Sequence, residues 1–220
     1  MNTNMNRRRF SATLLSAAAA SALVAGRPAF AQATPVEGKD FTRIEPPQPP
    51  GVPAGKVEVL EFFSYACPHC SSFEPTIEAW EKQLPAEVAL RRVPVAFLMN
   101  ADNFMRAYYA LETTGAVQAM QLKIFRAIHI DRKRLEKGED IAAFVGANGG
   151  DADKFLAAFK SFSVNTSVAR AKKLMADYKV DSVPTLVVQG RWMTSPSQAG
   201  SQERALAVVD QLVQRVRSGK

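Results

Sequence analysis

Cys67 and Cys70 are the only cysteines in the 220-residue chain, and they stand in the stretch Cys67-Pro68-His69-Cys70. Two thiols at this spacing can close a disulfide, hold part of a metal site or work as a redox dithiol. As a structural staple the pair is poor, because so short a loop removes little chain entropy and its ring tends toward strain. Strained disulfides are the labile, reactive ones. As a zinc site it lacks a second ligand pair: the only other histidine is His129, and adjacent His69 and Cys70 fit badly on one tetrahedron. No metal is expected, and a redox dithiol fits the spacing best.

Such a dithiol has to be positioned. The apolar, β-prone run Val57-Glu58-Val59-Leu60-Glu61-Phe62-Phe63 reads as a buried strand, and Ser64-Tyr65-Ala66 as the turn after it. Beyond Pro68 the apolar spacing turns helical, with Phe73, Ile77, Trp80 and Leu84 on one face. Pro68 suits the first turn of a helix, where no donor is needed. Cys67 then takes the cap position, with the backbone N–H groups of His69 and Cys70 near its sulfur. These groups and the positive helix end favour a thiolate and lower the Cys67 pKa. Cys67 is therefore expected to be the exposed nucleophile, and Cys70, one turn in, the shielded resolving thiol. The His69 imidazole can add a donor or a positive charge beside that thiolate, and so make the disulfide a stronger oxidant. Pro75 should bend the helix.

A strand, Cys-Pro-His-Cys and a bent helix together resemble the thioredoxin superfamily. The stretch Glu61-Phe62-Phe63-Ser64-Tyr65-Ala66-Cys67-Pro68-His69-Cys70 resembles its DsbA family of periplasmic thiol oxidases. Far downstream, Val183-Pro184-Thr185 ahead of Leu186-Val187-Val188 is similar to the cis-proline loop of that superfamily, and Gln189-Gly190 to its hairpin turn before Arg191-Trp192-Met193. The resemblance runs from about Phe41 to the C-terminus. It implies an α/β thioredoxin fold with an inserted α-helical domain, and a Val183–Pro184 loop that docks an extended substrate beside Cys67. It also implies that Glu61 is a buried carboxylate of raised pKa exchanging protons with Cys70, with Arg92 as its neighbour. An acid in an apolar strand is costly without a partner; a solvated place at the strand end would be the plain alternative.

The rest of the chain accommodates that architecture. Val88–Phe97 reads as a second strand, after which helical spacing dominates. Phe104, Tyr108 and Leu111 precede Gly115; Val117, Met120, Ile124 and Ile128 follow; Ile141–Val145 ends at Asn148-Gly149-Gly150. Asp151 can cap a helix carrying Phe155 and Phe159, and Val168, Ala171, Met175 and Tyr178 mark a longer one. Leu206, Val209, Leu212 and Val216 close the chain. The expected division is 32–97 with 166–220 as the thioredoxin-like part and 98–165 as the helical insertion. Pro46, Pro47, Pro49, Pro50 and Pro53 form a stiff extended connection. Met99, Phe104, Met105 and Met120 are expected in the helical core rather than in a substrate groove. His129 is expected as a packed or surface histidine.

The N-terminus has another purpose. Arg7, Arg8 and Arg9 precede the Ala/Leu-rich run Phe10–Val24, and Ala29-Phe30-Ala31 offers a signal-peptidase site, so 1–31 reads as a signal peptide. Arg7-Arg8-Arg9-Phe10 suits the twin-arginine route as well as general secretion. Cleavage lowers the net charge from +7 to +3, which removes the main support for nucleic-acid binding. The expected activity is a periplasmic thiol:disulfide oxidoreductase that gives its disulfide to exported proteins through a mixed disulfide at Cys67. A thioredoxin-like reductase or isomerase and a non-catalytic peptide-binding chaperone remain open, although the 32–56 stretch is too short for an isomerase's dimerisation domain. The expected substrates are reduced exported polypeptides. The resemblance implies a DsbB-like, quinone-linked inner-membrane partner, no cofactor beyond the Cys67–Cys70 disulfide, and a monomer.

Overall fold

The computed structural model of the protein describes residues 34–219; the signal-peptide reading lies outside them. Its strands are β1 (Thr42–Arg43), β2 (Val57–Phe63), β3 (Val88–Pro94), β4 (Thr185–Val188) and β5 (Trp192–Thr194). They form one sheet in the order β1-β5-β4-β2-β3. β2 and β3 run parallel, joined through helix α1 (Pro68–Glu81), while β4 lies antiparallel on the other side of β2. β2, paired on both sides, is buried along its whole length.

Alternation along β2 sorts its side chains between two layers. Val57 and Val59 pack with Leu186 and Val188 against Phe73 and Ile77 of α1 and against Val209 and Leu212 of α8 (Gln202–Arg217). Leu60 and Phe62 face the other way, onto Val164, Val168 and Ala171 of α6 (Phe162–Asp177). The same period sends Glu61 toward α1. Between β3 and α6 the chain forms α2 (Ala101–Thr113), α3 (Val117–His129), α4 (Gly138–Ala147) and α5 (Ala152–Phe159), and α7 (Pro196–Ala199) precedes α8. Helices α2–α5 share a core with Phe63, Tyr65, Cys67 and Cys70, so the dithiol turn forms part of the helical core.

Local signals place the helix ends. The side chains of Asp151, Ser161 and Ser201 accept from the N–H groups of Lys154, Val164 and Arg204, capping α5, α6 and α8. The proline-rich connection is fastened to the hairpin: Gln48 N–H donates to the Gly190 carbonyl at 2.9 Å. Gly190 has φ +63°, and a Cβ there would sit 2.0 Å from the Gln48 carbonyl oxygen, so this turn requires glycine.

Three expectations, on β3, Met99 and Met105, are corrected, and two short elements were not expected. β3 stops at Pro94 instead of Phe97, because β2 ends at Phe63 and the last bond between them runs from Val95 N–H to the Phe63 carbonyl. Met99 is 83% exposed and stands outside the helical core that holds Phe104 and Met120, since it precedes α2 and no helical face carries it inward; Met105 packs instead with Leu60, Phe62 and Val168, between the sheet and α6. Strand β1 and the four-residue α7 carry too few apolar residues for any period to reveal.

Phe63 is fully buried, with its ring against Tyr65, Tyr108 and Phe125 at 5.4, 5.2 and 6.1 Å. Phe63→Ala should cost about 3–5 kcal/mol of stability, read as a lower urea midpoint.

Candidate active site

The site is built where β2 ends. Cys67 is the N-cap of α1, extended at φ −89° and ψ 117°, with Pro68 in the first turn. Its sulfur accepts from the Cys70 N–H at 3.4 Å, and its thiol faces the Val183 carbonyl oxygen at 3.5 Å. Both cysteines are free thiols. The peptide bond Val183–Pro184 is cis, as the resemblance implied, and Glu45–Pro46 is cis as well. Cys70 is wholly buried; Cys67 is only 6% exposed, more enclosed than a nucleophile at a helix start promises. The loop at Val183, distant in sequence, comes back to cover it.

The electrostatics separate the two thiols. The Cys67 pKa falls to about 6, chiefly through the Cys70 thiol; burial opposes this, and the N–H groups of Cys70 and His69 and the His69 charge support it. Burial pushes Cys70 far up, and the neighbouring Cys67 adds to the effect. One thiol is thus poised as a thiolate near neutral pH and the other is held protonated.

Beneath them lies a buried charge cluster. Glu61 and Arg92 are register partners on β2 and β3, and Arg92 Nε lies 3.1 Å from Glu61 Oε2, at an angle that leaves both Glu61 oxygens without a hydrogen bond. The same guanidinium reaches Glu74 at 3.1 Å and Glu81 at 2.9 Å, both on α1. Three carboxylates around one cation in a low-dielectric site favour keeping a proton on one of them. Glu61 is that one: burial raises its pKa to about 8, with Glu74 adding and Arg92 opposing. Burial lowers the pKa of Arg92, but Glu61, Glu74 and Glu81 outweigh it and keep the guanidinium charged. Glu61 also contributes to the upward shift of Cys70.

The structure adds residues that sequence reasoning missed. Gln121, buried on α3, donates to Glu74 Oε2 at 3.4 Å and accepts from the Tyr65 hydroxyl. Its signal was a polar residue four positions after Val117, on the apolar face of that helix. Glu74 likewise sits four residues after Cys70 on the buried face of α1. His129 proves to be part of the site's surroundings: its Nε2–H donates to the Tyr65 carbonyl at 2.8 Å and holds the turn before Cys67. His69, Pro68, Val183 and Pro184 all lie around Cys67, and Arg92 reaches Glu61. His69, Val183 and Pro184 line one depression together with Ser195 to Gln198.

Comparison with known proteins agrees with this geometry. The family model described as thioredoxin matches residues 48–208. A thiol:disulfide interchange protein DsbA of Burkholderia cepacia is 42% identical over 198 residues, covering 90% of this chain and 93% of that one. The chain belongs to the DsbA family. A DsbA of Pseudomonas syringae is 38% identical over 93% of this chain and 95% of its own length. The crystal structure of Pseudomonas aeruginosa DsbA superposes with a TM-score of 0.80 at 36% identity, covering 84% of this chain and 96% of that one. None of the described helices is long and apolar enough to cross a membrane.

Two measurements test these electrostatics. Glu61 binds its proton more tightly folded than unfolded, so its burial should cost stability increasingly as pH rises from about 4.5 to about 8. In the oxidised protein, which lacks the Cys67 thiolate, Glu61→Gln should flatten the fall in urea stability across that window; an unchanged slope would refute the assignment. His69→Ser should raise the Cys67 pKa, followed by thiolate ultraviolet absorbance, and make the couple more reducing. A rise of about one unit corresponds to roughly 1.4 kcal/mol and on the order of 30 mV for two electrons.

Proposed function

We propose that this DsbA-family protein is a periplasmic thiol:disulfide oxidoreductase that donates its Cys67–Cys70 disulfide to newly exported polypeptides. The observation that carries the reading is the contrast between the two sulfurs: Cys67 has its pKa lowered to about 6 at a helix start, and Cys70 behind it is held protonated. A substrate thiolate attacks Cys67 Sγ of the disulfide; the bond to Cys70 breaks, and Cys70 leaves as a thiolate that takes up a proton. The substrate's second thiol loses its proton and attacks the substrate sulfur in the mixed disulfide, expelling Cys67 as a thiolate. The substrate has then lost two electrons and the protein has gained them. A low-pKa Cys67 is a good leaving group in the second step.

The supporting roles follow from position. Protonated Glu61, under Cys70, is suited to supply and later recover the proton that Cys70 exchanges. His69 favours the Cys67 thiolate, and Pro68 starts α1 so that its free N–H groups meet the sulfur. Val183, beside Cys67 and next to Pro184, can offer its backbone to an extended peptide in the manner of an added strand. Thioredoxin-like residues 32–97 and 166–220 carry these groups; 98–165 form the helical insertion, with α6 crossing that boundary to pack on the sheet. Residues 1–31 direct export and are removed as the protein reaches the periplasm. Reoxidation passes the two electrons to a DsbB-like, quinone-linked partner in the inner membrane, and the protein works as a monomer with no other cofactor.

Equilibration with glutathione tests the direction of the chemistry. The couple should lie well above the roughly −270 mV of thioredoxin, and the oxidised protein should restore reduced ribonuclease. Cys67→Ser should abolish that oxidation. A potential near the thioredoxin value would assign the dithiol to a reductase instead, and refolding that survives Cys67→Ser would assign the protein to a chaperone role.

A further inference from the structure

Cys67 has a depression on each side of it. The one at His69, Val183 and Pro184 is the docking side described above. The other is a cleft of about 640 Å³ with Ala66 and Pro68, the two chain neighbours of Cys67, in its wall. Its floor is apolar, formed by Phe104, Ile128 and Leu135, and the exposed Met99 stands at its edge. Its rim carries the exposed run Arg132-Lys133-Arg134 from the loop between α3 and α4.

That loop is held in place. Lys133 N–H donates to the Ala127 carbonyl at 2.8 Å, and the Asn100 and Asn103 amides both donate to the Glu136 carbonyl at 2.8 Å. Leu135 anchors it in the helical core. Its charges are mostly unspent. Lys133 lies over the Phe144 ring, 5.3 Å from its centre, but Arg132 and Arg134 have no ion pair or hydrogen bond among the described residues. Asp131 is turned to Arg126 at 3.9 Å, and Glu136 is the acid in the cleft wall. The charges that shift Cys67 belong to its own turn of helix. The rim cations are therefore placed to act on what approaches the sulfur.

We infer that this cleft selects among reduced polypeptides, favouring those whose reacting cysteine lies within about three residues of acidic and apolar side chains. The inference rests on the oxidase reading and names its substrate class. An extended chain advances about 3.3 Å per residue, so the residues next to a cysteine joined to Cys67 enter the cleft whose wall holds Ala66 and Pro68. Apolar side chains then meet the Phe104–Ile128–Leu135 floor, and carboxylates meet Arg132 and Arg134.

Two peptides decide it, each with two cysteines, one carrying Glu and Leu beside them and the other Lys and Leu. Each peptide dithiol becomes a disulfide as Cys67–Cys70 becomes a dithiol. At low salt the acidic peptide should react about tenfold faster, the lower end of electrostatic steering. The advantage should vanish at about 1 M salt, where the screening length falls to about 3 Å. In Arg132→Glu/Arg134→Glu the preference should reverse, with the rate toward uncharged dithiothreitol unchanged. Equal preference in the protein and the double variant would overturn the inference, as would binding of anionic phospholipid vesicles without any peptide preference. Failure to oxidise dithiothreitol would instead sink the oxidase reading. Serine-for-cysteine versions of both peptides, followed by fluorescence anisotropy, still decide the cleft in that case. Tighter binding of the acidic one, abolished in the double variant, supports it; equal binding overturns it.

Discussion

One atom both ends a helix and reacts. The sulfur of Cys67 caps α1 by accepting the Cys70 N–H, and a helix start always leaves donors that need such a partner. A thiolate meets that need better than a thiol, so the bond that completes the helix also lowers the Cys67 pKa. Because this stabilisation belongs to the reduced protein, closing the disulfide gives it up. The same local geometry thus tilts the couple toward giving its disulfide away. Everything around the cap serves to keep the helix start in register: β2 delivers the chain to it, Pro68 begins the helix, and the Val183 loop closes over the sulfur.

The charge cluster under the dithiol has the opposite economy. Burying three carboxylates with one guanidinium favours stability little, because desolvation offsets most of the attraction. What the cluster does is hold parts together. Arg92 ties β3 to Glu61 of β2 and to Glu74 and Glu81 of α1, and Gln121 extends the chain of contacts to α3 and to Tyr65 in the turn before Cys67. Burial and the surplus of acids over cations favour the protonated form of Glu61, and Glu61 in turn adds to the upward shift of Cys70.

The helical layer reaches the site from the other side. His129 at the end of α3 bonds the carbonyl of Tyr65, whose ring packs on Phe63, Phe104 and Phe125. The three-residue turn before Cys67 is therefore fixed by a backbone hydrogen bond, a buried hydroxyl and an aromatic cluster. That same layer carries the loop whose cations edge the second cleft, so a rigid turn and a charged approach come from one set of helices.

The sequence by itself determined what is local. A seven-residue apolar run forms β2 over its full predicted length, Cys67 and Pro68 form the start of α1, and the helical periods of Phe104, Val117, Phe155 and Leu206 each mark a real helix. These depend on neighbours a few residues apart, and spacing records them directly. The dithiol was legible because its motif is short, and the cis peptide at Pro184 because its loop resembles that of the thioredoxin superfamily. Only the tertiary structure decided which distant groups meet. Gln121 and His129 look like one misplaced polar residue and one surface histidine until α3 is laid against the Tyr65 turn. The enclosure of Cys67 depends on Val183, which lies 116 residues away along the chain. Met99 left the core because no helix carried it inward. Burial and long-range hydrogen bonds are properties of packed surfaces, and the periodicity of a single segment cannot encode what packs against it.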